Sequence, residues 1–284
     1  MTDQRLRLFI SKRIRGLLSG EHVSRQLSTR GFDLEEKRKF RLGDDPRSVD
    51  ILATAKRGTD DPRVAVNKIE KGANLIFLMD CSASVRFGTL TEKYRYAVDF
   101  IRQITLSCVG GGNRFRFVAF DERVRYDSGF TTSANTAGEY IQELSRLPSG
   151  KGITDLKTAL GVLLSMTGRF SLNIPSLIFI VSDFLFEPNF GRQLDVINEQ
   201  SDVIVIVLRD PAELLLPKPY LGLVRLVDPE TGKEFTARGT VNPLDKVLSI
   251  LKRCGIDWLE TNTGCEIGKA LENLITLFEK RREG

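Results

Sequence analysis

The chain has 284 residues and a net charge of +5, and its 41% hydrophobic and 28% charged residues exclude a disordered or fibrous protein. No apolar run reaches the roughly 18 residues of a membrane span, and basic residues interrupt the apolar stretches at the N-terminus, so we expect a cytoplasmic protein without a membrane span or signal peptide. One histidine and four cysteines without CxxC spacing exclude a catalytic triad and a histidine or cysteine zinc centre, so any metal must be bound by oxygen.

The basic excess lies in the first quarter of the chain. Residues 1–72 hold 17 Lys and Arg against 11 Asp and Glu, and the remainder holds 25 against 26. Residues 5–18 predict a basic amphipathic helix, and we expect residues 1–73 to form a basic extension that packs on the main domain. A strand over 62–70 is expected beside the apolar strand 75–79. Few aromatic residues are interleaved with the charge, so nucleic acid is not an expected partner.

From residue 74 onward, short apolar runs alternate with amphipathic segments. Strands that are apolar on both faces and alternate with helices are typical of a parallel sheet covered on two sides. We therefore predict an α/β, doubly wound, mostly parallel sheet over 74–284, with a β-hairpin around DPETG inside an insertion over 209–240. Strands are predicted at 75–79, 114–120 (with a hairpin continuing through 124–126), 176–181, 203–208 and 256–260. Helices are predicted at 91–108, 135–147, 155–167, about 190–199, 242–253 and 265–281.

Oxygen-bearing side chains follow two of the apolar strands. The sequence DCSAS at 80–84 places Asp80, Ser82 and Ser84 after strand 75–79, and Asp183 follows strand 176–181. The loop GITD at 152–155 brings Thr154 to the start of the next helix. Ligands of such sheets bind at the carboxyl ends of the strands, and hard carboxylate and hydroxyl oxygens suit Mg²⁺ or Mn²⁺.

These segments, in this order, resemble the metal-ion-dependent adhesion site of von Willebrand factor A-type domains. The resemblance covers the D-x-S-x-S strand end, the G-x-T loop and the later strand-end aspartate. It implies that Ser82, Ser84 and Thr154 contact the cation, and that Asp80 and Asp183 bind it directly or through water. All five positions carry the expected residue type, so an intact site is predicted.

Further segments are similar to one bacterial group of these proteins, the domain-of-unknown-function family 58. They are GDDPRSVD at 43–50, AKR at 55–57, SDF at 182–184 and LVDPETG at 226–232. Ile51 stands where the family usually has tryptophan, which affects the packing of the N-terminal segment and not the metal site. The family's genes are commonly found next to those of MoxR-type AAA+ ATPases, so the resemblance implies such an ATPase as partner.

Each candidate ligand also has an ordinary structural interpretation. Ser82 and Ser84 could cap the turn that follows them, Thr154 could cap the helix 155–167, and Asp183 could accept hydrogen bonds from backbone amides. Their joint appearance at the expected strand ends favours the metal site.

We therefore expect a binding module and not an enzyme. A Mg²⁺ or Mn²⁺ ion would complete its coordination shell with a carboxylate of the partner. The surrounding loops would supply selectivity: 85–90, 128–135, 148–155 and 184–190. The protein would act as adaptor or co-chaperone of a MoxR-type AAA+ ATPase. One alternative is a metal-dependent phosphohydrolase on the same scaffold, although Ser82 occupies the position where such an enzyme needs a second carboxylate. Another is a basic N-terminal scaffold for membrane or nucleic acid, with a vestigial cation site.

Overall fold

The apolar segments become strands in the computed structural model. The structure describes residues 72–109, 112–148, 150, 154–167, 176–214 and 243–283, and the backbone of four further strands, 35–39, 63–67, 224–227 and 234–237. The strands are β1 Glu35–Lys39, β2 Arg63–Asn67, β3 Asn74–Asp80, β4 Arg114–Phe120, β5 Val124–Asp127, β6 Ser176–Ser182, β7 Asp202–Arg209, β8 Val224–Val227, β9 Glu234–Ala237 and β10 Asp257–Asn262. The helices are α1 Lys93–Ser107, α2 Ala134–Ser145, α3 Leu156–Thr167, α4 Gly191–Gln200, α5 Pro211–Leu214, α6 Pro243–Arg253 and α7 Ile267–Glu283.

Six strands form one mixed sheet in the order β10-β7-β6-β3-β4-β5. Five of them run parallel, and β5 pairs antiparallel with β4 at the edge. The strand order reverses next to β3, from which the chain moves outward to β4 and later to β6. The predicted α/β, doubly wound, mostly parallel fold is confirmed, and β3 lies in the middle of the sheet where both of its edges are paired.

Helices cover both faces of this sheet because alternate residues of each strand point to opposite sides. On β3, Phe77 faces a core that includes α1, α2 and α7, whereas Leu78 faces a second core with α3, α4 and α6. Phe77 stacks on Phe117 of β4 at 5.3 Å and on Phe179 of β6 at 5.1 Å between ring centroids. The predicted elements of this region are present, and no end differs from its predicted position by more than two residues; the four-residue helix α5 was not predicted.

Two small antiparallel sheets lie outside the main sheet. β8 pairs with β9, which confirms the hairpin predicted around DPETG. β2 pairs with β1 in a small unit, Arg30–Lys71, separate from the unit that contains the main sheet. The expectation that strand 62–70 lies beside strand 75–79 was therefore wrong, because β4 and β6 occupy both edges of β3.

Three sequence predictions fall on other parts of the chain. The basic helix over 5–18 and the segments 43–50 and 55–57 lie outside the described residues. Among the helices that are described, none has the length and apolar character needed to cross a bilayer.

Candidate functional site

The candidate site begins at the end of the central strand. Asp80 is the last residue of β3, and the pairing of Met79 with Val181 brings the ends of β3 and β6 level. Asp80 is buried; its Oδ1 accepts a hydrogen bond from the Ser82 amide at 2.9 Å, and its Oδ2 accepts one from the Ser182 hydroxyl at 2.7 Å. Both carboxylate oxygens are thus fixed by neighbours from the two strand ends.

Three more predicted ligands join this cluster through their side chains. The hydroxyl oxygens of Ser82 and Ser84 lie 3.1 Å apart, and the Ser84 hydroxyl donates to Asp183 Oδ1 at 3.2 Å. All three residues are buried. The structure therefore brings Asp80, Ser82, Ser84 and Asp183 together from positions a hundred residues apart in the chain.

Thr154 is held at the same edge of the sheet by the loop that precedes α3. The Gly150 amide donates to the Cys81 carbonyl at 2.9 Å, and the Asp155 amide donates to the Asp121 carbonyl at 2.9 Å. Thr154 is buried between these two attachments. A Cβ on Gly150 would come within 2.6 Å of Asp121 Oδ2, so the close approach of this loop to the ends of β3 and β4 requires glycine.

The structure gives little support to the interpretation that Ser82, Ser84 and Thr154 serve as helix caps. Asp155, not Thr154, caps α3, since its carboxylate accepts bonds from the Thr158 amide at 3.2 Å and hydroxyl at 2.6 Å. The short 3₁₀ turn Ser84–Arg86 has no side-chain cap. Asp183 does accept a hydrogen bond from the Leu185 amide at 3.3 Å, which supports in part the interpretation that it accepts hydrogen bonds from backbone amides.

The backbone is strained directly after Asp183. Phe184 has a φ of 52°, a left-handed conformation that a bulky side chain rarely adopts, and it is fully buried. Its amide donates to the Ser182 hydroxyl at 3.0 Å, and its ring lies in the core against Phe186 and Phe190. Such a residue costs on the order of 1–3 kcal/mol and persists only where its surroundings hold it, commonly at functional sites.

Burial controls the charge of the cluster. Desolvation, with a further contribution from the Asp183 carboxylate, raises the pKa of Asp80 to about 7, although its hydrogen bonds to Ser182 and Ser82 act in the opposite direction. Burial, with the nearby charges of Asp80 and Asp121, raises the pKa of the Cys81 thiol to about 12. Cys81 therefore remains a thiol, and the charged groups available to a cation at this strand end are carboxylates.

Three residues of the cluster were not predicted from the sequence. Ser182 fixes Asp80, and the Lys93 ammonium bridges Asp183 Oδ2 at 2.7 Å and Glu213 Oε1 at 2.6 Å. Lys93 is fully buried although it opens α1, where the helix dipole disfavours a positive charge. That unfavourable position is the one sequence signal that could have identified Lys93.

The chemistry of the donors fits a small hard cation. Asp80, Ser82, Ser84 and Asp183 present carboxylate and hydroxyl oxygens to one another in a buried space, and Mg²⁺ and Mn²⁺ prefer oxygen donors of this kind. Only two of these donors are acids. Within the described part of the chain, no group of three or more His, Cys, Asp or Glu side chains is arranged to hold a metal ion.

Comparison with known proteins places the chain in a family. The family described as protein of unknown function DUF58 matches residues 36–242. Uncharacterized proteins of Mycobacterium bovis and Mycobacterium tuberculosis are 29% identical over 296 aligned positions, which cover 98% of this chain and 88% of each relative.

Two solved structures share this fold at low sequence identity, and a third aligns less closely. BatB from Bacteroides thetaiotaomicron, a conserved hypothetical protein, is 11% identical with a TM-score of 0.51, over 75% of this chain and all of the solved chain. An aerotolerance-related membrane protein from Bacteroides fragilis is 11% identical with a TM-score of 0.50, over 74% of this chain and all of the solved chain. The VWA domain of SpRpn10 is 9% identical with a TM-score of 0.47, over 71% of this chain and 93% of that domain.

Proposed function

The chain belongs to the DUF58 family, whose function is unknown, and from this premise we propose that it is a divalent-metal-dependent protein–protein interaction module. Asp80, Ser82, Ser84, Thr154 and Asp183 would hold a Mg²⁺ or Mn²⁺ ion. A carboxylate of the partner would then complete the coordination of that ion. The protein would act by binding and not by catalysis.

One observation carries this proposal. Four candidate ligands from two strand ends form a continuous buried cluster, in which Ser84 contacts both Ser82 and Asp183. Two buried carboxylates in such proximity repel each other, and the raised pKa of Asp80 reflects that cost together with desolvation. A bound dication would remove the repulsion, which is the physical reason to expect one here.

The chemistry of the donors favours a partner with a carboxylate. Because three of the five proposed donors are neutral hydroxyls, a bound cation would keep much of its charge and attract an anionic group. Apolar side chains are exposed on two of the loops expected to supply selectivity: Phe87 and Leu90 follow the DCSAS segment, and Leu185 follows Asp183. An acidic residue of the partner with apolar neighbours would match this combination of charge and surface.

The proposed partner is a MoxR-type AAA+ ATPase, with this protein as its adaptor or co-chaperone. Support for that partner comes from the resemblance of segments 43–50, 182–184 and 226–232 to the DUF58 pattern and from the family's genomic association with such ATPases. The alternative of a phosphohydrolase gains no support from the geometry, since Ser82 lies two residues after Asp80 and its hydroxyl is engaged with Ser84.

Isothermal titration calorimetry with Mg²⁺ tests the site directly. We expect binding heat for the wild type and none for Asp80→Asn, which keeps the shape of the side chain and removes its charge. The matched control is Asp99→Asn, because Asp99 is an exposed carboxylate on α1 that pairs with Arg102 on the same helix. Equal heats for the wild type and Asp80→Asn would overturn the proposal.

A second measurement addresses the partner. The purified MoxR-type ATPase from the same organism should bind the wild type in Mg²⁺, lose that binding in EDTA, and fail to bind Asp80→Asn under either condition. Binding that is equal in Mg²⁺ and EDTA would contradict a metal-mediated contact. Mg²⁺-dependent phosphatase activity that disappears in Asp80→Asn would contradict the non-catalytic part of the proposal.

A further inference from the structure

A buried lysine lies directly behind the proposed cation site. The Lys93 side chain has no solvent exposure, and its ammonium contacts Asp183 Oδ2 at 2.7 Å and Glu213 Oε1 at 2.6 Å. The Phe87 ring covers it, with its centroid 5.8 Å from the ammonium. Fully buried lysines are rare unless they are paired, so this position is explained by its two acidic partners.

The two oxygens of Asp183 face different groups. Oδ1 accepts the bond from Ser84 within the candidate ligand cluster, and Oδ2 accepts the bond from Lys93. One oxygen of Asp183 thus faces the proposed cation site, while the other is paired with a permanent positive charge inside the protein, the Lys93 ammonium. A dication bound at the Ser84 side would lie within a few ångströms of the ammonium and would be repelled by it.

Glu213 is the second acidic partner of the Lys93 ammonium. Its Oε1 accepts the bond from Lys93, while its Oε2 accepts a bond from the Asp210 amide at 3.1 Å. Glu213 lies on α5, outside the predicted ligand set, and its side chain is 18% exposed. Without this carboxylate, the full charge of Lys93 would act on Asp183.

We propose that Lys93 is a positioning residue that limits the affinity of the site for its divalent cation, and that Glu213 sets how strongly it does so. The inference rests on the proposed function, because it concerns the same site. Lys93 supplies the counter-charge of Asp183 when no cation is bound. When a cation is bound, Lys93 offsets one carboxylate, so the site keeps positive charge for the carboxylate of a partner.

Two substitutions should change Mg²⁺ affinity in opposite directions. Lys93→Met keeps most of the length of the side chain and removes its charge, and we expect it to bind Mg²⁺ at least tenfold more tightly than the wild type. Glu213→Gln leaves the ammonium unshared on Asp183, and we expect it to bind Mg²⁺ at least threefold more weakly. Affinity is measured by calorimetry with Mg²⁺ alone, and the midpoint of thermal unfolding is followed in EDTA and at increasing Mg²⁺.

The control removes a positive charge elsewhere on the same helix. Arg102 lies nine residues from Lys93, about 13 Å along the helix axis, and Arg102→Met breaks its surface pair with Asp99. It should bind Mg²⁺ within twofold of the wild type. In EDTA, Lys93→Met should unfold at a lower temperature than the wild type, because Asp183 loses its counter-charge, and Mg²⁺ should restore more of this loss than it adds to the wild type.

Each result separates this inference from the proposed function. If the wild type binds Mg²⁺ and both variants bind within twofold of it, Lys93 is only a structural ion pair and the inference is overturned. It is also overturned if Lys93→Met binds more weakly than the wild type. If Lys93→Met does not fold, the direction of the Glu213→Gln change decides. Absence of Mg²⁺ binding by the wild type itself would instead refute the proposed function, and the inference with it.

Discussion

The ionisation of Asp80 makes the stability of the metal-free protein depend on pH in an unusual direction. The Asp80 carboxyl is buried beside Asp183, and its pKa is raised from 3.8 to about 7. Between these two values the folded protein holds a proton on Asp80 that the unfolded chain releases. Because the folded state binds more protons in that window, the free energy of unfolding decreases as the pH rises.

The size of the effect follows from the shift. About three pKa units at roughly 1.4 kcal/mol per unit correspond to about 4 kcal/mol, a large share of the ~5–15 kcal/mol that stabilises an ordinary domain. The contribution of Asp80 should be fully present below about pH 4 and lost by about pH 7, above which it no longer changes with pH. Mg²⁺ should oppose the loss, because it binds to the ionised carboxylate and not to the protonated one.

The assay is urea unfolding in EDTA at a series of pH values from 4 to 8, for the wild type and Asp80→Asn. Asparagine is neutral throughout, so the variant keeps the pH dependence of all other groups and lacks that of Asp80. The difference between the two curves should favour the variant increasingly as the pH rises toward 7. Asp99→Asn, an exposed carboxylate, should follow the wild type.

Two outcomes would refute this reasoning. If the wild type and Asp80→Asn run parallel from pH 4 to 8, Asp80 has no raised pKa in the folded protein. If the wild type gains stability relative to the variant as the pH rises, the Asp80 carboxylate is stabilised by its surroundings, and the repulsion from Asp183 is not what governs it.

Three further predictions, one with a control substitution, concern the packing around the site and the ionisation of a second buried aspartate. Phe77→Ala removes the central ring of a three-ring stack and should lower the free energy of unfolding, measured with urea, by about 3–5 kcal/mol. A loss below about 1 kcal/mol would contradict the packing described. Gly150→Ala should lower the free energy of unfolding by about 1–3 kcal/mol and weaken Mg²⁺ binding, because its Cβ would lie 2.6 Å from Asp121 Oδ2. As a control, Gly138→Ala, in open space on α2, should raise the free energy of unfolding by about 0.5–1 kcal/mol. Burial alone would raise the pKa of Asp210, but hydrogen bonds from backbone amides and threonine hydroxyls lower it. The stability that depends on the ionised Asp210 should therefore be lost on acidification below about pH 4. Over that range, Asp210→Asn should lose less free energy of unfolding than the wild type.

Much of the fold could be predicted because the strands of the main sheet carry an unambiguous pattern. β3 and β6 are buried along their whole length, and their uninterrupted apolar sequences indicate central parallel strands. That Asp80 and Asp183 lie close together could be predicted in the same way, since they follow two such strands and the register of a parallel sheet brings those ends together. Composition and order were sufficient for these features.

Partner choice between strands could not be predicted in the same way. β2 has a short alternating sequence, RVAVN, which suits an edge position in any sheet. Proximity in the chain suggested β3 as its neighbour, but the neighbour is β1, a strongly charged segment without a strand-like apolar pattern. Pairing by backbone hydrogen bonds leaves little trace in the sequence when both strands are short.

The two acids of the buried cluster have different partners. Lys93 is paired with Asp183, so that carboxylate has a counter-charge inside the protein, whereas Asp80 accepts its hydrogen bonds from the neutral groups of Ser82 and Ser182. In the absence of a cation and below about pH 7, the Lys93 ammonium pairs with the Asp183 carboxylate and a proton neutralises Asp80. A dication would take the place of that proton and leave the ammonium where it is. The pH dependence of Asp80 and the opposite effects expected at Lys93 and Glu213 therefore follow from the same charge balance, and an error in one would be visible in the other.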